Sequence, residues 1–333
     1  MFRRKLLVWA GRAGVSAAVG GLGVLSAPAV QASPRILKLG HQFAPGSLPD
    51  RVATRLAGQL RERSGGAIEV QLIPGAALGD ELQHLKLLRS GSLDLSVTGD
   101  LIVSSLSDEY LVLNLPFLYR DTAHALAAYG SAAGARMRQE MEAGGLRALS
   151  WHPVGVRMLT AQRPIARWQD LQGLRLRLPA DVAWTAVWRS LGAQPQQVAF
   201  TDLPAALRLG RVDAQENPPN FIRAGQLHQY QSHLMTTAHM PQRQFVCASG
   251  PRWAQWTPRE RDWVQQAALE ASAWAARTAE EEQQQDLAWL LGPGGMQRVA
   301  FDATGIAEQL EPIAVALAGE AGRTLYRQIR QLG

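Results

Sequence analysis

Two rhythms of apolar positions alternate along the chain. After Ser33, "RILKLGHQF" alternates apolar and polar residues as a strand does. "SLPDRVATRLAGQLRERSGG" changes to helical spacing, with Val52, Leu56 and Leu60 on one face. Ser47 stands at its N-cap, Asp50 at the capping-box position, and Gly65-Gly66 stop it. "AIEVQLI" returns to strand alternation, "GDELQHLKLLRSG" is again helical with Leu82, Leu85 and Leu88 in register, and "LDLSV" is the next strand. The pattern restarts after Trp151. "VGVRMLTA" and "LRLRLP" read as strands, "ADVAWTAVWRSLG" as a helix, "PQQVAF" as a strand, "TDLPAALRLG" as a helix and "VDAQEN" as a strand. Strands and helices in this order predict an α/β fold of mainly parallel sheets flanked by helices.

The restart carries an internal match. Leu88 to Asp94 and Leu207 to Asp213 both read Leu-Arg-x-Gly-x-(Leu/Val)-Asp, pairing Gly91 with Gly210 and Asp94 with Asp213. Two lobes of similar design are expected, each delivering an Asp-bearing strand to a common place. Following a helix stop, the two aspartates are expected to fix the backbone turn and not to act as paired acids. The longest helical signal starts at Thr257, with Pro258 at the first helical position and Glu260 completing a capping box. At 1.5 Å per residue it spans on the order of 50 Å, more than one small domain, so it is expected to brace both lobes. The expected division is residues 33–154 plus 243–282 for lobe I and 155–242 plus 283–333 for lobe II, with a ligand cleft between them.

Composition fits a globular chain, with 47% apolar and 19% charged residues in 333. The first 32 residues differ: "MFRRKLLVWAGR" is basic, "AGVSAAVGGLGVLSAPA" is small and apolar, and "VQA" precedes Ser33. This predicts an export signal at 1–32, cleaved near Ala32, and a mature protein in the periplasm. The Arg3-Arg4 pair leaves both the general and the twin-arginine export routes open. Removal of Arg3, Arg4, Lys5 and Arg12 lowers the net charge from +6 to +2, so no basic surface for nucleic acid is indicated. Cys247 is the only cysteine, which excludes an intrachain disulfide and a thiolate metal cluster.

Candidate chemistry gathers at the carboxyl ends of strands, where open α/β sheets bind ligands. Those ends hold Thr98-Gly99 and Gln215-Glu216-Asn217, with Arg157 and Arg177 close by in sequence. Arg175 and Arg177 share one strand face, opposite Leu174, Leu176 and Leu178. An arginine fork holds a carboxylate by two parallel charge-assisted hydrogen bonds. His228, His233 and His239 lack metal-ligand spacing, and His239 reads as a structural or hinge residue. Neither a Gly-x-Ser-x-Gly elbow nor a phosphate loop is present. Glu216 or Asp213 as the base of a periplasmic enzyme is the weaker alternative, since nothing nearby supplies a nucleophile or a metal.

"DLQGLRLRLP", "GAQPQQVAFTDLPAALRLGRVDAQENP" and "LGDELQHLKLLRSGSLDL" resemble the DctP-type solute-binding proteins of tripartite ATP-independent periplasmic (TRAP) transporters. The likeness runs from "LGHQFAPGS" to the long helix. It implies a two-lobed periplasmic binding protein fold, no cofactor, and capture of a small organic carboxylate for delivery to membrane permease subunits by a protein expected to be monomeric. Presentation of the ligand to a sensor is the alternative with the same binding chemistry. Position by position, the resemblance implies that Arg177 pairs with the carboxylate and that Arg157 is a second cationic contact. Asn217 would hydrogen-bond the same group, Phe200 would pack on the ligand, and Gln42 and Glu81 would supply polar contacts from the first lobe. Trp184 is a further candidate for the lining. The whole of "QEN", Gln215 to Asn217, is expected to face the cleft, held by the two prolines that follow. Gly99 and Ile102 stand where sialic-acid-binding members carry a glutamate and an arginine, and Asp202 replaces the glutamate of "FxE".

Overall fold

The computed structural model describes residues 33–332, so the expected signal segment lies outside the described residues. Among the described residues there are nine strands: β1 Arg35–Gly40, β2 Ile68–Ile73, β3 Leu95–Thr98, β4 Leu146–Ala161, β5 Arg175–Leu178, β6 Gln194–Gln197, β7 Ala214–Asn217, β8 His233–Ser249 and β9 Gln297–Val299. The α-helices are α1 Leu48–Arg63, α2 Glu81–Ser90, α3 Asp108–Leu111, α4 Thr122–Gly130, α5 Ala132–Ala143, α6 Val182–Ser190, α7 Leu203–Arg208, α8 Pro219–Ala224, α9 Gly250–Gln255, α10 Pro258–Leu291 and α11 Ala307–Arg330.

Both halves of the strand–helix pattern form, and they form alike. At one end of the sheet β2, β1 and β3 lie parallel; at the other, β6, β5 and β7 do the same. Leu39 pairs with Leu95 in the first half, and Leu176 with Ala214 in the second. The repeated Gly-x-x-Asp does the same work twice. Gly91 and Gly210 take left-handed φ of 75° and 62°, where a side chain would be strained. Asp94 Oδ2 then accepts from the Lys38 amide at 2.8 Å, and Asp213 Oδ2 from the Arg175 amide at 3.1 Å. Each aspartate staples its own strand to the neighbouring one.

The two parallel triples are not separate sheets. The order β2-β1-β3-β8-β4-β7-β5-β6 is continuous, because β4 and β8, of 16 and 17 residues, pair antiparallel and run from one half into the other. The sequence pattern places the start of the β4 strand at Val154, but the strand begins at Leu146. Pro153 and Gly155 interrupt the alternation there, and the ladder shifts register between them instead of ending. Four residues of β8, Thr236 to His239, bulge opposite Met158 alone.

Helix α10 carries the expected capping box: the Thr257 amide donates to Glu260 Oε2 at 2.7 Å, and Thr257 Oγ1 accepts from the Glu260 amide. Its buried stripe of Val264, Ala267, Ala268, Ala271 and Ala275 packs on α1 and β4, and its later turns meet α8. Small residues let the helix lie close against the strands. Two local expectations are corrected. Asp50 forms no box with Ser47; its Oδ2 accepts from the Gly46 amide at 2.8 Å and its Oδ1 meets His41 Nε2 at 3.1 Å. Leu82 stays exposed while Leu85 and Leu88 are buried, since the first turn of α2 faces a cavity instead of the core.

Candidate functional site

Strands β5 and β7 run parallel and end side by side, with Arg177 opposite Gln215. Asn217 follows at the end of β7 and pairs with Met158 of β4, next to Arg157. The backbone therefore brings Arg177, Asn217 and Arg157 together from three strands. Pro218 and Pro219 do more than stiffen the strand end: Pro219 opens α8, where its fixed φ suits the first helical position. Beyond the strand ends lies a cavity of about 290 Å³. All seven residues singled out from sequence line it: Gln42, Glu81, Arg157, Arg177, Trp184, Phe200 and Asn217.

The two arginines differ in how their charge is used. Arg177 is only 2% exposed, and its Nε donates to the Val198 carbonyl at 2.8 Å. Among the described residues its two terminal nitrogens have no protein partner. Burial drags its pKa down to about 9; Glu216 opposes this and Arg157 adds to it. Arg157 is already spent. Its Nη2 donates to Glu216 Oε1 at 2.7 Å, to the Glu216 carbonyl at 2.6 Å and to Asn217 Oδ1 at 3.1 Å. Its Nε also donates to Glu216 Oε2, its Nη1 to Gln242 Oε1, and the Trp184 ring lies 4.6 Å from its guanidinium carbon. Burial pushes the Glu216 carboxyl up, but Arg157 and His239 outweigh it and hold the group below the usual range.

This corrects the expectation for "QEN". Only Asn217 lines the cavity. Glu216 lies behind Arg157 and meets His239 Nε2 at 2.9 Å, while Gln215 Oε1 accepts from Asn217 Nδ2 at 2.6 Å. Alternation along β7 sends the middle residue to the opposite face. Glu216 is thus the counter-ion of an arginine. Asp213 binds Arg175, outside the cavity. His239 is buried in the β8 bulge between Glu216 and Thr237, in the structural place expected for it.

Across the cavity Glu81 caps the opposite wall. Its Oε1 accepts from Thr98 Oγ1 at 3.0 Å, and Gln42 Nε2 approaches Oε2 at 3.4 Å. Burial, reinforced by Asp100, pushes its pKa up to about 8. Gly99 is confined, because a Cβ there would stand 3.0 Å from Glu81 Oε2; Ile102 is fully buried in the core. Phe43 stacks on Phe221 with centroids 5.3 Å apart, and Phe200 leans on Phe221 at 5.8 Å. Sequence reasoning missed Asp100, Gln242, Phe43 and Phe221. Asp100 lies two residues beyond the end of β3 at Thr98 and was reachable by the rule that looks to the carboxyl ends of strands. Gln242 sits mid-strand in β8, with no local signal, yet its Nε2 donates to Asp100 Oδ2 at 2.9 Å while its Oε1 accepts from Arg157 Nη1.

A cavity walled by a buried arginine whose terminal nitrogens have no protein partner suits an anionic group. Among the described residues no cluster of metal-binding side chains accompanies it, and no helix is long and apolar enough to cross a membrane. The chain belongs to the bacterial extracellular solute-binding proteins of family 7, the DctP family, whose family model matches residues 39–314. Protein y4mM of Sinorhizobium fredii is 34% identical over 65% of this chain, which spans 41% of that protein's length. Solute-binding protein RD1_1052 of Roseobacter denitrificans is 27% identical over 91% of this chain and 97% of its own. Its crystal structure with bound L-galactonate superposes with a TM-score of 0.83. A TRAP periplasmic solute-binding protein of Polaromonas sp. JS666, bound to D-erythronate, is 27% identical, covers 90% of this chain and 99% of its own, and gives a TM-score of 0.83. Proteins of this family are solute-binding transport proteins, and sugar acids and other carboxylates are bound in the solved relatives.

Proposed function

We propose that this protein captures a small organic carboxylate in the periplasm and passes it to the membrane permease subunits of a TRAP transporter. One observation carries the reading: Arg177 is buried at the cavity wall with two terminal nitrogens uncommitted, a costly state that a ligand carboxylate relieves by filling both. Asn217 adds its free amide proton to the same carboxylate, and Arg157 contributes mainly through orientation. Phe200 and Trp184 pack on the ligand, with Gln42 and Glu81 meeting its far end. Residues 33–154 with 243–282 form one lobe and residues 155–242 with 283–333 the other, and the lobes hinge about the irregular stretches of β4 and β8 to close over the ligand. The working protein is a monomer, released by cleavage near Ala32.

A thermal-shift screen of the mature chain tests this. A carboxylate at a hundred times its dissociation constant adds about 2.7 kcal/mol of stability, seen as a raised melting temperature. A broad screen in which only uncharged sugars or cations raise it overturns the carboxylate reading.

A further inference from the structure

Behind the cavity lining a second polar cluster joins the two walls, and we infer that Asp181 within it is a positioning residue. It clasps the start of α6 to the segment that follows β3 and so holds Trp184 against Arg157. Pro179, Ala180 and Trp184 line the cavity, but Asp181 does not. The clasp stands on the structure alone; its effect on a ligand rests on the function proposed above.

Asp181 is fully buried and caps α6, its Oδ1 accepting from the Trp184 amide at 3.0 Å. Capping alone does not call for an aspartate, since asparagine and serine cap as well. Among the described residues no basic side chain pairs with this carboxylate, and burial raises its pKa more than its hydrogen bonds lower it. What asparagine cannot supply is a second acceptor oxygen. Here Oδ2 accepts from Asn114 Nδ2 at 2.8 Å and from the Ser104 hydroxyl. Both donors belong to short 3-10 turns beyond β3, Asp100–Ser105 and Val112–Asn114. In the division proposed above they lie in the other lobe.

Asn114 carries the tie onward. Its Nδ2 also donates to the Asp100 carbonyl at 3.0 Å, and its Oδ1 accepts from Arg243 Nη2 at 3.2 Å. Asp100 accepts from Gln242, and Gln242 accepts from Arg157. From Arg157 the path returns to α6, because the Trp184 ring lies 4.6 Å from its guanidinium carbon. The circuit is closed. Four of its members, Asp100, Gln242, Arg157 and Trp184, line the cavity. Releasing it at Asp181 frees α6 from the segment after β3, so the ligand must then bear the cost of ordering that wall.

Asp181→Asn separates the cap from the clasp. The side-chain carbonyl still serves the Trp184 amide, but the new amide nitrogen meets Asn114 Nδ2, donor against donor. Asn114 cannot turn over to relieve this, since Arg243 holds its Oδ1 and the Asp100 carbonyl its Nδ2. Calorimetric titration with D-erythronate and with galactonate is expected to show about tenfold weaker binding by the variant than by the parent. Hydrogen exchange in the unligated variant is expected to be faster in residues 100–114 and in α6. Unchanged affinity for a probe that the parent binds overturns the positioning role. Because Asp181 acts through Trp184, the double variant with Trp184→Leu is expected to bind no worse than Trp184→Leu alone, and additive losses overturn the assignment. Should the parent bind neither probe, exchange decides: faster exchange in residues 100–114 upholds the clasp and unchanged exchange overturns it. Failure of the carboxylate reading shows separately, in the thermal-shift screen of the parent. If Asp181→Asn does not fold, Ser104→Ala removes one donor to Oδ2 and leaves the cap. It is expected to move affinity and exchange the same way by less, and no movement in either overturns the clasp.

Discussion

Arg177 and Arg157 sit on β5 and β4, the two strands flanking β7, have the same side chain and are both buried, yet they answer to different partners. Arg177 keeps its terminal nitrogens for a ligand, so Arg177→Lys should cost affinity, on the order of 2–5 kcal/mol by calorimetry, through the lost fork geometry. The unligated protein should melt no lower than the parent, because the substitution breaks only the Nε contact with Val198. Arg157→Lys should do the reverse. Its fork holds Glu216 by two bonds that a lysine cannot both make, so stability should fall, by less than the roughly 3–5 kcal/mol that removing a partner of a buried pair costs. If Arg157→Lys loses more affinity than Arg177→Lys at equal melting temperature, the roles assigned here are exchanged. Glu81 gives a prediction in pH. Its folded pKa, raised to about 8, lies above the unfolded carboxyl value of 4.5. The folded protein thus holds the proton more tightly, and stability from this group is full below pH 4.5 and lost as pH rises through 8. Melting temperatures of unligated parent and Glu81→Gln across pH 5 to 9 should diverge toward the alkaline end, with the variant the flatter; parallel curves would contradict it.

At the scale of the element, what was legible depended on whether the partners were local. The Thr257–Glu260 capping box reads directly from sequence because both partners lie within one turn. Thr257→Ala should therefore lower stability by about 1 kcal/mol in denaturant unfolding without changing ligand affinity. The similar signal at Ser47 and Asp50 misleads, because Asp50 faces His41 of the β1–α1 connection and takes the Gly46 amide instead. Long strand β4 shows a third case. Gly155 takes φ of 136°, and a Cβ there would meet Gln283 Oε1 at 2.8 Å and Pro218 at 3.2 Å. That same Gln283 oxygen accepts the Val156 amide and so ties α10 to the strand. Gly155→Ala should destabilise the fold by more than the capping change does, read by the same denaturant titration, since it strains the backbone and dislodges this tie together.

Across the whole molecule the sheet is one surface with two parallel ends. The arginines belong to one end, Glu81 to the other, and β4 and β8 cross between them at stretches weakened by register shifts. Ligand binding should draw the ends together. Small-angle scattering on the mature protein should record a smaller radius of gyration with saturating carboxylate than without, and an unchanged radius would argue for a rigid cleft.

The sequence by itself determined the alternation of strands and helices, the duplicated Gly-x-x-Asp turn, the cap of α10 and seven of the residues that line the cavity. Each of these depends on neighbours a few positions away or on a motif shared across the family. Tertiary structure alone decided that β4 and β8 fuse the halves into one sheet, and which charges are spent. Glu216 lies 59 positions from Arg157, and Asp100 lies 142 from Gln242, so no local pattern links them. An arginine's availability depends on the counter-ions folded around it, and periodicity carries no information about that.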